Sequence, residues 1–218
     1  MTEKAFRLPL ILRPSFAGTH YATISVQEMS SSPPLDTGDL ASLDAAVREA
    51  SAREIYNRGL ALTKPVVSPW LADRELSRLL LDQPLVTVGL AVFPDTFARI
   101  RHANGKPRLA VVPADLDAEE FELHFSTEIS LDILTTRDPN GEGAIARYLK
   151  RFGEGIQQVE YRCDDVDRAT AILKRDFGVA SVYPHARPGA DGTRVNFFLV
   201  PIPDGGKVLI ELYAVPES

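Results

Sequence analysis

The 218-residue sequence predicts an α+β fold built from two copies of one βαβββ unit, preceded by a mostly helical extension. Three observations lead there. Strand-like apolar runs fall in two groups, over 86–93, 108–114, 120–126 and 128–136, then over 156–163, 179–184, 193–201 and 207–215. In each group a single helical stretch follows the first strand. Gly, Pro and Asp residues punctuate both groups, and an internal repeat of this kind signals a fold made of like modules.

The elements follow in chain order. Phe6–Leu12 and Tyr21–Val26 are strand-like, and SSSPPLDTGD after them reads as a loop. From Asp39 to Leu60 the apolar residues Leu40, Leu43, Val47, Ile55 and Leu60 fall near helical spacing, with Asp39 as N-cap and Gly59 as the end signal. Pro65 and Pro69 are expected to break the chain before a second helix, Trp70–Leu81. These readings divide the chain into an extension, 1–83, and a two-module domain, 84–218. Within the domain, module one spans 84–137, a linking helix 138–153, and module two 154–218. PDTFARIRHANG and DVDRATAILKRDF supply the helix inside each module, the second capped by Asp164 or Asp165.

Composition narrows the function. The chain is 44% hydrophobic and 25% charged, ordinary for a globular protein. A net charge of −6 disfavours nucleic acid and anionic membrane as partners, because phosphate binding needs concentrated positive charge. No apolar run is long enough to cross a bilayer, and the first residues lack the pattern of a signal peptide. The single cysteine, Cys163, cannot form an intrachain disulfide and has no histidine near it in sequence, so it reads as structural. A cytoplasmic protein with a small-molecule partner is the expectation.

The stretch from Asp138 to Val215 carries a resemblance. GEGIQQVEY, CDDVDRA, the RPG loop at 187–189 and VLIELYA follow in order. Together they resemble the second module of the vicinal oxygen chelate (glyoxalase-like) superfamily, most closely its methylmalonyl-CoA epimerase-like members. VTVGLAV, at 86–92, resembles the first strand of that family's first module. The resemblance covers about residues 85–215. It implies a cup-shaped sheet with a divalent metal inside, held by residues of the first and last strand of each module. Carried over by position, the ligand sites fall on Thr87, Asp132, Gln158 and Glu211. Where the family has a histidine pair after the Gly-Glu-Gly turn, this chain has Gln157 and Gln158. A set of Asp132, Gln158 and Glu211 without imidazole suits a hard ion such as Mg²⁺ or Mn²⁺ better than Zn²⁺ or Co²⁺. The other reading is that the metal site is lost and these are polar cup residues.

The remaining candidates follow from strand alternation. Glu160 lies two residues beyond Gln158, so both share a face, and it is the candidate base for abstracting a proton beside a carbonyl. Its alternative is a half-buried charge paired with Arg162. His124 shares a face with Glu122, either as acid–base residue or in solvent. Arg187 and Arg194 are candidates for a substrate carboxylate or phosphate, or for a solvated turn. Tyr213, with Tyr161, Phe197 and Phe198, is a candidate pocket wall or core residue. The resemblance implies an isomerase or epimerase, or a lyase, acting on a small carbonyl or acyl compound. The alternative is a metal-free small-molecule binding protein on the same fold. The extension is expected to cover the entrance, plug the cup or build a homodimer interface.

Overall fold

The computed structural model describes residues 35–81, 85–202 and 206–216. The strands expected within 6–26, together with His20, lie outside the described residues.

The chain enters through a short 3-10 turn, Gly38–Ala41, and a 28-residue helix, α1 (Ala45–Ala72). Asp44, not Asp39, caps α1, its side chain accepting from Ala46 N at 2.8 Å. Gly59, Pro65 and Pro69 do not end the helix. A proline inside a helix costs about 3 kcal/mol, because it removes one hydrogen bond and crowds the carbonyl four residues back. Here both prolines lie on the exposed side, where freed carbonyls meet water. The opposite side buries Ile55, Thr63, Val67 and Trp70 against the sheet, at roughly 1.5–3 kcal/mol for each large apolar side chain. Tertiary burial therefore outweighs the local breakers. Gly59 is needed for close approach, since a Cβ there would lie 2.5 Å from Val88 Cγ2. The expected second helix is shorter. Trp70 closes α1, and α2 (Arg74–Leu79) restarts from Asp73, which accepts from Glu75 N and Leu76 N.

Seven strands form one mixed sheet: β1 (Val86–Ala91), β2 (Glu119–His124), β3 (Ser130–Thr135), β4 (Gly155–Arg162), β5 (Arg187–Pro188), β6 (Arg194–Pro201) and β7 (Lys207–Ala214). Their spatial order is β2-β3-β1-β4-β7-β6-β5. In each module the first and last strands pair in parallel, β1 with β3 and β4 with β7. The modules join through antiparallel pairing of the two first strands, β1 and β4. The arrangement has pseudo-two-fold symmetry about that seam. Helices α3 (Pro94–Ala103), α4 (Ala144–Phe152) and α5 (Val166–Asp176) occupy the expected positions, with Asp165 capping α5 by accepting from Arg168 N.

Two expected strands do not form. Residues 108–114 run alongside β2, but only Ala110 N reaches a β2 carbonyl, that of Glu120. Val111 exchanges its hydrogen bonds with Asp191 instead, and Pro107 and Pro113 bracket the segment. Residues 179–184 contribute one sheet-like bond, Val182 N to Phe197 O, and the edge of module two is reduced to the two residues of β5. Edge segments with few ladder bonds are where local polar groups most easily redirect the backbone.

The sheet has two faces. The convex face carries α1, α3 and α5 over Val88, Leu131, Ile133, Val159, Ile210 and Leu212, all fully buried. Tyr161 and Phe198 belong to this core and not to a pocket: Tyr161 OH lies 2.6 Å from Thr63 Oγ1, and Phe198 meets Trp70 edge-on at 6.4 Å. The helices of the extension thus back the sheet and do not cover the opening of the cup. Cys163 is buried at the end of β4, its thiol pushed up to about 12 by burial, in keeping with a structural role. No helix among the described residues is long and apolar enough to cross a membrane.

Trp70→Ala is expected to cost about 3–5 kcal/mol, the range for emptying a large aromatic site in a core. Urea unfolding checks this; a loss below about 1 kcal/mol would mean that α1 is only loosely attached.

Candidate functional site

The concave face is lined by the residues that alternate with the core. From β3 come Asp132 and Leu134, from β4 Gln158 and Glu160, from β6 Phe197 and Leu199, and from β7 Leu209, Glu211 and Tyr213. Helix α4 closes one wall with Ile145 and Tyr148, whose hydroxyl donates to Ile156 O at 2.9 Å. The irregular segments 107–118 and 182–193 form the rim, tied across the modules by Arg108–Asp191 at 2.6 Å and Arg187–Asp115 at 2.5 Å. The enclosed cavity is about 640 Å³, a small-molecule size.

A bulge at the module seam shapes its floor. Gly89 pairs with Gln158 and Leu90 with Ile156, which leaves Gln157 without a partner on β1. Both glutamines consequently line the cavity. The Gln158 stem lies across Gly89, where a Cβ would sit 2.5 Å from Gln158 Cγ, so glycine is required there. Gln158 Nε2 donates to Glu211 Oε2 at 2.7 Å and to Glu160 Oε1 at 3.0 Å. Glu160 and Glu211 stand side by side in register on β4 and β7. Glu122 and Asp132 stand likewise on β2 and β3. The floor therefore holds an acid pair from each module, with Glu120 beside them.

Burial and mutual repulsion disfavour ionisation of Glu120, Asp132, Glu160 and Glu211. Glu160 is pushed up to about 8, by burial first and by Glu120 and Glu122, with the Gln158 hydrogen bond opposing. Glu120 rises to about 7, by burial and then Asp191 and Glu122. Asp132 and Glu211 are raised well above the ordinary carboxylate range, burial leading and the neighbouring carboxylates adding to it. Tyr213, also on this face, is pushed up to about 12 chiefly by burial.

The structure brings Asp132, Gln158, Glu160, Glu211, Tyr213, Phe197 and Arg187 to one cavity, but not Arg194, Tyr161 or Phe198, and leaves His124 at its edge. Arg194 projects from the opposite face of β6, where it pairs with Asp167 of α5 at 2.6 Å; alternation along the strand puts it there. His124 is an outlying residue on β2, its side chain 62% exposed, with Nε2 3.3 Å from Glu122 and Nδ1 2.8 Å from Ser130 Oγ. Arg187 lines the rim with its guanidinium already on Asp115 and 5.0 Å from the Tyr183 ring. The hydrogen-bond partner of Glu160 is Gln158, where Arg162 was the alternative. Sequence reasoning missed Glu120, and named Gln157 only as one of the pair at the family's histidine positions, without a role in the site. The alternation in EFELHFS that marks Glu122 marks Glu120 equally, whereas nothing in the sequence announces the bulge.

The donors on this floor do not fit the metal that the resemblance implies. Thr87, Asp132, Gln158 and Glu211 include no imidazole. The amide nitrogen of Gln158, not its oxygen, faces Glu160 and Glu211. Among the described residues no three His, Cys, Asp or Glu side chains converge as a set of ion ligands.

Raised carboxylate pKa values predict a pH dependence of stability. Glu160 and Glu120 bind protons more tightly folded than unfolded. Their contribution is therefore fully present below about 4.5 and is lost as the pH rises through about 7 to 8. Thermal unfolding should show stability falling from pH 5 to 9, with a shallower fall in Glu160→Gln. Identical slopes in the two proteins would show that Glu160 titrates normally.

No protein-family model matches the sequence, and no curated protein does. Solved structures do. A methylmalonyl-CoA epimerase from Mycobacterium tuberculosis is 30% identical, with 63% of this chain and 91% of that chain covered at a TM-score of 0.51. A Streptomyces coelicolor methylmalonyl-CoA epimerase is 21% identical (62% and 99% covered, TM-score 0.48), and a hypothetical protein from Bacillus halodurans is 22% identical (61% and 94%, TM-score 0.49). With its two like modules, its seam of first strands and its likeness to the first of these structures, the chain belongs to the vicinal oxygen chelate superfamily.

Proposed function

We propose that the protein is an isomerase or epimerase that moves a proton at a carbon next to a carbonyl, in a small carbonyl or acyl compound. The observation that carries this is the pair Glu160 and Glu211, buried side by side at the floor of a small-molecule cavity and bridged by one amide. The 30% identical relative, a methylmalonyl-CoA epimerase, supports the reaction class.

Proton abstraction beside a carbonyl needs a base of matched pKa and a partner for the oxygen that becomes negative. Glu160, pushed up to about 8, is suited to take and return a proton near neutral pH. Glu211, held protonated by burial and by its neighbours, is suited to donate a hydrogen bond to the carbonyl oxygen, as a neutral carboxylic acid can in an apolar site. Gln158 positions both carboxyl groups. Inversion at carbon requires a second proton carrier on the other side. Asp132 and Glu120, across the seam in module one, supply candidates. Phe197, Leu199, Leu209 and Tyr213 hold the apolar part of the compound and exclude water. No step here runs through a divalent ion.

Deuterium wash-in at the carbon beside the carbonyl, followed by NMR over a panel of acyl and carbonyl compounds in D₂O, tests the reading. Wild type should exchange, and Glu160→Gln should slow exchange by about 10²–10⁴-fold while keeping the wild-type circular dichroism spectrum. Mg²⁺, Mn²⁺, Co²⁺ or Zn²⁺ should change the rate by less than about twofold, within the scatter expected when no ligand shell forms. Saturable binding with no exchange across the panel would favour a binding protein, and exchange unaffected by Glu160→Gln would move the base elsewhere.

A further inference from the structure

The cavity floor is crowded with carboxyl oxygens. Glu120, Glu122, Asp132, Glu160 and Glu211 all face it. The one amide that donates to them, Gln158, is shared between Glu160 and Glu211. A second, independent feature points the same way. Gln157, 8% exposed, lines the cavity at the bulge, and its Oε1 is buried with no hydrogen-bond partner among the described residues. A buried acceptor left without a donor is costly, and a ligand N–H group that reached it would recover that cost.

Among the described residues the ion pairs leave Glu120, Asp132, Glu160 and Glu211 without a cation, and give the half-exposed Glu122 only His124, at 3.3 Å. The basic residues at the rim are engaged elsewhere or distant. Arg108 is held by Asp191, Arg187 by Asp115, and Arg147 donates to the Glu142 carbonyl. Lys207 lines the cavity from the start of β7, with about 13 Å of strand between its backbone and that of Glu211. The floor is thus acidic, the basic rim largely neutralised, and the walls apolar. A substrate carboxylate placed on that floor would compete with its carboxyl groups for the few protons they share, and a bare metal ion would meet an incomplete ligand set. An ammonium group offers several directed N–H donors to acceptors spread over more than one strand.

We infer that the floor of the cup receives the protonated amine of a ligand whose aliphatic stem lies against Phe197, Leu199, Leu209 and Leu134. This narrows the substrate class of the proposed reaction to amine-bearing carbonyl compounds, and it rests on that reading for the cavity being the substrate site. Its test does not depend on turnover.

Three probes with the same six-carbon stem and different heads decide it: hexylammonium, hexanol and hexanoate, titrated into the full chain at neutral pH by calorimetry and by amide NMR shifts. Hexylammonium should bind about tenfold or more tightly than hexanol, as charge-assisted hydrogen bonds require, with hexanoate weakest. Gln157→Leu should weaken hexylammonium about fivefold and leave hexanol unchanged. Should that variant fail to fold, Glu122→Gln, on a half-exposed side chain, should show the same selective loss. Hexanoate binding as tightly as hexylammonium, no saturable binding of hexylammonium, or its displacement by Mg²⁺ or Mn²⁺ would each overturn the inference. Amine binding without deuterium exchange would leave it standing and sink the isomerase reading alone. Exchange in acidic or neutral acyl compounds without amine preference would do the reverse.

Discussion

The antiparallel pairing of β1 with β4 is the contact on which the rest of the molecule depends. Neither module can bury its own acid pair, because each contributes one side of the floor. Joining the modules through their first strands places Glu160 and Glu211 across the seam from Asp132 and Glu120. The same pairing contains the bulge that turns both glutamines toward the cavity and demands glycine at position 89. Backbone hydrogen bonds at the seam thereby determine where charge is confined, and confinement determines its chemistry. Glu120, Asp132, Glu160 and Glu211, crowded in a largely desolvated cup, cannot all ionise. They share protons, Glu160 and Glu211 also share the Gln158 amide, and the set is suited to exchanging a proton near neutral pH.

The extension serves this arrangement from behind. A half-buried sheet that carries polar groups on one face needs an apolar layer on the other. α1 supplies much of that layer, with Thr63 satisfying the Tyr161 hydroxyl and Trp70 meeting Phe198. The Gly-Glu-Gly turn links the layers, because Glu154 accepts from Phe93 N at the start of α3 and from the Thr37 hydroxyl. Rigidity at the floor is therefore supported by helices that never touch the cavity.

Much of this was legible in the residues, and the failures have physical causes. Strong alternation predicted β1, β2, β3, β4, β6 and β7, because one face of each is core and the other cup. Helix α1 was misjudged at Pro65 and Pro69, since local propensity says nothing of the burial that offsets it. The edge segments at 108–114 and 179–184 have strand composition but give their hydrogen bonds to loops. Asp132, Gln158 and Glu211 were found through the family resemblance, and Glu160 through strand alternation from Gln158. Glu120 shares the pattern of Glu122 and was overlooked, and Gln157 enters the cavity through an irregularity that no periodicity encodes. Arg194 shows the reverse error: its charge suggested a ligand, and strand alternation sends it to the other face.

The most direct test of the account is a pH titration of side-chain carboxyl ¹³C shifts by NMR, in protein labelled at Asp and Glu and assigned by single substitutions. The account predicts that Glu120, Asp132, Glu160 and Glu211 titrate well above the ordinary carboxylate range, and that replacing any one of them shifts the curves of the others. Four independent titrations near the usual carboxylate values would contradict it, and would mean that the cup is open to water or holds a permanent cation.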